Sequence, residues 1–276
     1  MSTEPLPGPG LERLLRRERA IVLAAIVVIA AAAWTYIVLL AQAMAMGRMD
    51  MSGYRALPAL AAAMVPAGQP WAASEFVLVF VMWSVMMVGM MLPSAAPMIL
   101  LYARVGRQSA AKGRPLASAG WFAAGYLAMW CAFALAATGA QWALERSLLL
   151  SPMMAGTSRV LGGVVLIAAG LYQWSPFKDA CLLQCRSPLL FVQDHGGFRG
   201  GAGGAFTLGV RHGAYCVGCC WALMALLFVL GVMNVAWIAL LAIVVMAEKI
   251  LPGTFLTRAV GLAFMMRGAL LLSGIM

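Results

Sequence analysis

Long apolar runs, separated by short polar segments, occupy most of the chain. These runs lie at about residues 20–43, 75–102, 118–143, 158–174, 206–233 and 235–251, with a seventh at 256–276. A membrane-spanning helix needs about 20 mainly apolar residues. Only helices and closed barrels satisfy their backbone polar groups inside lipid. The pattern therefore predicts an all-α, polytopic transmembrane helix bundle with six or seven spanning helices.

Composition leaves no room for a separate soluble domain. The chain is 64% hydrophobic and 10% charged, whereas a soluble domain is roughly 45–50% apolar and about 25% charged. The run from Ile21 to Ala43 is too long for the 7–15-residue core of a signal peptide, so it predicts a retained first helix. We expect a basic cytoplasmic segment at 1–19 and one transmembrane domain at 20–276, with the lipid bilayer as its surroundings.

The formal net charge of +10 indicates topology rather than nucleic-acid binding. Basic residues cluster between the apolar runs, as in cytoplasmic segments of membrane proteins, and no basic patch with interleaved aromatics is present. Four arginines before residue 20, and the basic stretch from Arg104 to Arg114, place the N-terminus in the cytoplasm. The same rule predicts a cytoplasmic loop at about 175–205 and a location in the bacterial inner membrane.

A cysteine and histidine cluster is the strongest candidate site. His212, Cys216, Cys219 and Cys220 recur at helical spacings of four, three and one, which puts their side chains within an arc of about 100°. Histidine inside a membrane helix is rare and usually functional. The cluster therefore indicates a metal or redox site, with Glu248 as a possible partner of the histidine or as half of an interfacial pair with Lys249.

One helix cannot surround a metal ion, so further ligands must come from elsewhere in the chain. Two sources are visible: the thiols of Cys181 and Cys185, and a methionine stripe formed by Met82, Met86 and Met90. Thiolate and thioether ligands prefer Cu(I), although Cys with His also suits Zn(II). The combination favours copper over zinc. Methionine also fills packing gaps, so core packing is the favoured interpretation of the stripe, and a copper path is the alternative that the nearby cysteines support.

Three functions are compatible with these residues. The first is copper handling, either transport or delivery to a partner such as a metallochaperone or a membrane complex. The second is a thiol-disulfide oxidoreductase that uses Cys216 and Cys219. The third is a structural subunit of a membrane complex with a structural zinc site. Sequence motifs of hydrolases and nucleotide-driven pumps are absent, so an enzyme is the less favoured class.

The chain resembles an uncharacterised bacterial family of predicted metal-binding integral membrane proteins. The matching stretches are residues 82–93, Lys178 with Cys181 to Arg186, Gly209 to Met224, and Glu248 with Lys249. Together they cover about residues 75–252. The resemblance implies a multi-helix inner-membrane protein with a metal site at the same cysteines and histidine, and it implies no substrate or reaction.

Overall fold

The structure is a computed structural model, which describes residues 9–46, 71, 73–111, 116–147, 159–198 and 200–274. Within those ranges every regular element is a helix and no strand occurs, so the all-α prediction is confirmed. The helices, numbered along the chain, are α1 Pro9–Met46, α2 Ala73–Ala111, α3 Ala119–Arg146, α4 Arg159–Tyr172, α5 Pro176–Arg186, α6 Pro188–Asp194, α7 Gly201–Ala225, α8 Leu227–Leu230, α9 Val235–Ile250 and α10 Phe255–Ser273.

Five segments of the described chain are long and apolar enough to cross a membrane. They are α1, α2, α3, α7 together with α8, and α10. A sixth candidate arises if α4 and α5, which meet at a bend of 62°, form one broken span. The described helices therefore give five spans, and reach six, the lower of the two predicted counts, only if this broken pair is counted as one span. The run at 256–276 corresponds to α10, and the run at 235–251 to α9, which has only 16 residues.

Helices α3 and α7 approach each other through glycine. A Cβ atom added at Gly125 would lie 2.1 Å from the carbonyl oxygen of Phe206, and one added at Gly209 would lie 2.0 Å from that of Phe122. Small residues allow helix backbones to come this close. The contact fixes the position of α7, the helix that carries the cysteine cluster.

Helices α4 and α10 also approach each other closely at glycine residues. A Cβ atom at Gly170 would lie 2.6 Å from the carbonyl oxygen of Gly261, and one at Gly268 would lie 2.7 Å from that of Gly163. Because the earlier residue of α4 meets the later residue of α10, the two helices run antiparallel. This pair anchors α4, from which α5 departs at the bend.

The segment at about 175–205, predicted as a loop, contains α5, α6 and the first turn of α7. Ser175 caps α5 by accepting a hydrogen bond from the backbone N–H of Phe177 at 3.2 Å, and Pro176 occupies the first helical turn. Proline is favoured there because that turn needs no N–H donor, and it cannot extend the preceding helix. Cys181 and Cys185 therefore lie on a helix.

Candidate metal site

The four predicted residues of α7 are all buried inside the bundle. His212 is 3% exposed, and Cys216, Cys219 and Cys220 are each 1% exposed. The helix begins at Gly201, so His212 lies about 17 Å along its axis at a rise of 1.5 Å per residue. His212 therefore lies near the middle of the 25-residue helix and the three cysteines lie in its second half, because the glycine-rich residues before the apolar run are helical too.

Helix α5 brings two further thiols to this cluster. The Sγ atom of Cys185 lies 4.0 Å from that of Cys219, although the residues are 34 positions apart. The Sγ atom of Cys181 lies against Gly218, where an added Cβ atom would come within 2.9 Å of the sulfur. The absence of a side chain at Gly218 lets α5 pack closely on α7. Both cysteines of α5 therefore face the helix that carries the other three.

Cys216 has two polar partners from other helices. The Nζ atom of Lys249, at the end of α9, lies 2.8 Å from the Cys216 sulfur and also donates to the Oγ atom of Ser94 at 2.7 Å. The hydroxyl of Tyr126 lies 3.1 Å from the same sulfur and donates to the carbonyl of Met91 at 3.0 Å. An ammonium group so close to the thiols offsets negative charge on them.

The remaining thiols are oriented by the backbone of their own helix. Cys219 and Cys220 both donate to the carbonyl oxygen of Cys216, at 3.1 and 2.9 Å. The thiols of Cys185, Cys219 and Cys220 all neighbour that of Cys216. We call Cys185, Cys216, Cys219 and Cys220 the thiol cluster.

His212 lies one helical turn from Cys216, in an aromatic pocket. Its ring centroid is 5.8 Å from that of Phe122, 5.9 Å from Tyr126 and 4.9 Å from Phe191. Within the described residues its buried Nδ1 atom has no hydrogen-bond partner. A buried polar atom without a partner is uncommon. Depending on the tautomer, this nitrogen can donate a hydrogen bond or offer its lone pair to a ligand close to the thiol cluster.

The methionine stripe lies in the core of the bundle. Met82, Met86 and Met90 are each 2% exposed or less. The contacts that join their helix to the thiol cluster run instead through the Met91 carbonyl and Ser94. The stripe thus lies in the packed core, on the helix that supplies two polar neighbours of the site.

Glu248 binds α5 rather than its neighbour in sequence. Its Oε2 atom accepts an ion-paired hydrogen bond from the Nζ atom of Lys178 at 2.7 Å, and its Oε1 atom accepts one from Gln173 at 2.9 Å. The Lys178 side chain is fully buried and that of Glu248 is 2% exposed. Sequence reasoning missed the roles of Lys178, Lys249 and Tyr126. The rarity of buried charge in apolar helices was the available signal for the two lysines.

The described residues contain no group of three or more His, Cys, Asp or Glu side chains arranged as a ready-made metal site. They do contain a pair of thiols from two helices. The two sulfurs are 4.0 Å apart. If each bond to an ion between them were about 2.3 Å long, the length of a zinc–sulfur bond, the sulfur–ion–sulfur angle would be about 120°. That angle leaves room for a third ligand, and thiols are soft ligands suited to Cu(I).

Comparison with known proteins assigns the family. No curated protein and no solved structure matches the chain. The protein family described as PpoB2, copper chaperone, matches residues 80–271. The match begins in α2 and ends in α10, spans more than half of the chain, and includes every residue of the thiol cluster. The chain therefore belongs to the PpoB2 copper chaperone family.

Proposed function

We propose that the protein holds Cu(I) between the thiols of Cys185 and Cys219 and delivers it to a partner protein. The observation that carries the proposal is the 4.0 Å separation of these two sulfurs, which come from different helices. Membership of a copper chaperone family supports copper as the cargo.

Charge balance supports Cu(I) at this position. Two thiolates with one Cu(I) ion carry a net charge of −1, and a buried uncompensated charge is costly. The ammonium group of Lys249, 2.8 Å from the Cys216 sulfur, supplies the balancing positive charge. A divalent ion at the same two thiolates would leave the lysine in excess, which favours a monovalent cargo.

The third thiol supports delivery rather than storage. Cys216 neighbours both Cys185 and Cys219, so an ion held by two of these sulfurs has a further sulfur beside it. Exchange between adjacent soft ligands lets the ion move without leaving sulfur coordination. In the proposed mechanism, Cys181 and His212 flank the site, and the buried stripe of Met82, Met86 and Met90 offers weaker thioether ligands along α2. Glu248 acts only through α5.

The long apolar helices support a membrane location. A bacterial inner membrane and a cytoplasmic N-terminus remain predictions from the charge pattern. A metallochaperone or a membrane-complex subunit remains the predicted partner.

The test is a Cu(I) competition titration of the purified protein against a chromogenic Cu(I) chelator without oxygen. We expect Cys185→Ser and Cys219→Ser each to weaken Cu(I) binding by about 100-fold or more, since each removes one of two ligands. Cys131→Ser is the matched control, because Cys131 is a half-buried thiol on α3 outside the thiol cluster. Wild-type affinity in both cluster variants contradicts the proposal, and a stable preference for zinc favours a structural zinc site.

A second candidate function, thiol-disulfide exchange, is favoured by one contact. A cationic group beside a thiol is typical of reactive cysteines, and Lys249 lies 2.8 Å from the Cys216 sulfur. This function requires a reversible disulfide between Cys216 and Cys219. Thiol trapping after cycles of oxidation and reduction distinguishes the two, because copper delivery needs no such bridge.

A further inference from the structure

We propose that Glu248 is a positioning residue that holds α5 against α7 and thereby sets the distance between the Cys185 and Cys219 sulfurs. This inference rests on the proposed function, because it concerns the geometry of the proposed copper site.

The position of α5 depends on contacts with other helices. The helix has only 11 residues and leaves α4 at a bend of 62°. A helix of this length is only marginally stable in isolation. The bend by itself does not determine the direction in which α5 leaves α4. Something outside α4 must fix the angle between the two helices.

The Glu248 carboxylate contacts both sides of that bend. Gln173, just before the bend, donates to one carboxylate oxygen, and Lys178, just after it, donates to the other. Charge-assisted hydrogen bonds are directional and strong when buried, and this ion pair is shielded from solvent. The carboxylate therefore fixes the angle at which α5 leaves α4.

The far end of α5 is attached to the same residue. The Nε atom of Arg186 donates to the backbone carbonyl of Glu248 at 2.7 Å. Lys178, Cys181 and Cys185 follow one another at spacings of three and four, so they share one face of the helix. The two cysteines thus lie between two attachments to one residue of α9.

The residue after Glu248 contacts the other thiol helix. Lys249 reaches Cys216 on α7, while Glu248 binds α5. Two consecutive residues of α9 therefore hold the two helices whose sulfurs meet. This arrangement couples the position of α5 to that of α7.

A small rotation would separate the sulfurs. Cys185 is nine residues from the start of α5, or about 13 Å at 1.5 Å per residue, so a rotation of about 10° moves it by roughly 2 Å. The sulfur separation would then rise from 4.0 Å to about 6 Å. Two metal–sulfur bonds of about 2.3 Å span at most about 4.6 Å. Loss of the attachment would therefore open the site.

The test measures how readily Cys185 and Cys219 form a disulfide in the full-length protein. Diamide accepts two electrons and two protons from the thiols, and mass spectrometry quantifies the bridge. We expect Glu248→Gln to slow formation of this bridge by about tenfold or more, because a displacement of an ångström or more is costly to a proximity-dependent reaction. Cu(I) affinity should fall in parallel.

Glu248→Gln keeps hydrogen-bonding groups at position 248 but leaves the Lys178 ammonium group buried without its carboxylate partner, so the variant should be less stable than the wild type. Bridging is therefore measured on protein that size-exclusion chromatography shows to be folded. Glu145→Gln is the matched control. Glu145 is a partly buried carboxylate at the C-terminal end of α3, and it accepts hydrogen bonds from Trp71 and Gln141. Its loss should leave the bridging rate unchanged. The exchanged pair Lys178→Glu with Glu248→Lys should restore the rate, an outcome that general destabilisation does not produce.

Three outcomes decide the inference. Wild-type bridging in Glu248→Gln contradicts it, and so does slow bridging that the exchanged pair fails to restore. If Glu248→Gln slows bridging and the exchanged pair restores it, while Cys185→Ser leaves Cu(I) affinity unchanged, the positioning role stands and the proposed copper site is wrong.

Discussion

Replacing Gly125 by alanine should loosen the contact between α3 and α7. The new Cβ atom would lie 2.1 Å from the Phe206 carbonyl oxygen, whereas ordinary contacts begin at 3.4 Å, so the backbones must separate by about 1.3 Å (3.4 − 2.1). Overpacking of this kind costs about 1–3 kcal/mol. Alanine recovers about 0.5–1 kcal/mol through its higher helix propensity. Taking the middle of each range, the net loss is roughly 1 kcal/mol.

Thermal unfolding in detergent, followed by tryptophan fluorescence, measures this loss. A loss of 1 kcal/mol lowers Tm by about 2–4 °C in a chain of this size class, so we expect a decrease of roughly that size. Gly139→Ala is the matched control on the same helix, because nothing lies within 4 Å of its Cβ position. It should leave Tm unchanged or slightly higher. A Gly125→Ala variant as stable as the Gly139→Ala control would refute the close approach of α3 and α7.

Three further substitutions test the polar contacts of the site. Lys249→Met removes the ammonium group beside Cys216 and should weaken Cu(I) binding by about 10–100-fold in a chelator competition; unchanged affinity would contradict its charge-balancing role. Lys178→Met leaves the Glu248 charge buried and unpaired, so the free energy of unfolding should fall by about 3–5 kcal/mol, and adding Glu248→Leu should recover most of the loss seen in chemical denaturation. His212→Phe replaces an imidazole whose Nδ1 atom has no partner among the described residues. We expect the free energy of unfolding to fall by less than about 1.5 kcal/mol, and a larger fall would show that the imidazole is bound.

The apolar runs were sufficient to predict the long helices but not α5 and α6, which lie in the segment predicted as a loop. Spans of about 20 apolar residues have few other solutions in lipid, and the described chain is helical throughout its regular elements. The helical spacing of His212 through Cys220 correctly placed these residues on one helix, where all are buried. Local spacing carries this information because it depends on the geometry of a single helix.

The sequence could not predict which residues from other helices would meet this one. Cys185 and Cys219 are 34 positions apart, and their contact requires a helix in a segment whose polar residues indicated a loop. The contact between Lys249 and Cys216 depends on the angle of α9. The sequence also could not predict the ion-pair partner of Glu248. Its neighbour Lys249 was the nearest candidate along the chain, whereas the actual partner, Lys178, lies 70 positions away. Such pairings follow from tertiary packing and leave no periodic signal.

X-ray absorption at the copper edge tests the central claim most directly. The Cu(I)-loaded protein should show a first coordination shell of two or three sulfur atoms, as expected for soft thiolate ligands. The Cys185→Ser variant should lose one sulfur from that shell, and Cys131→Ser should lose none. A first shell of nitrogen or oxygen atoms, or a sulfur shell that survives the loss of Cys185 unchanged, would contradict a copper site between α5 and α7.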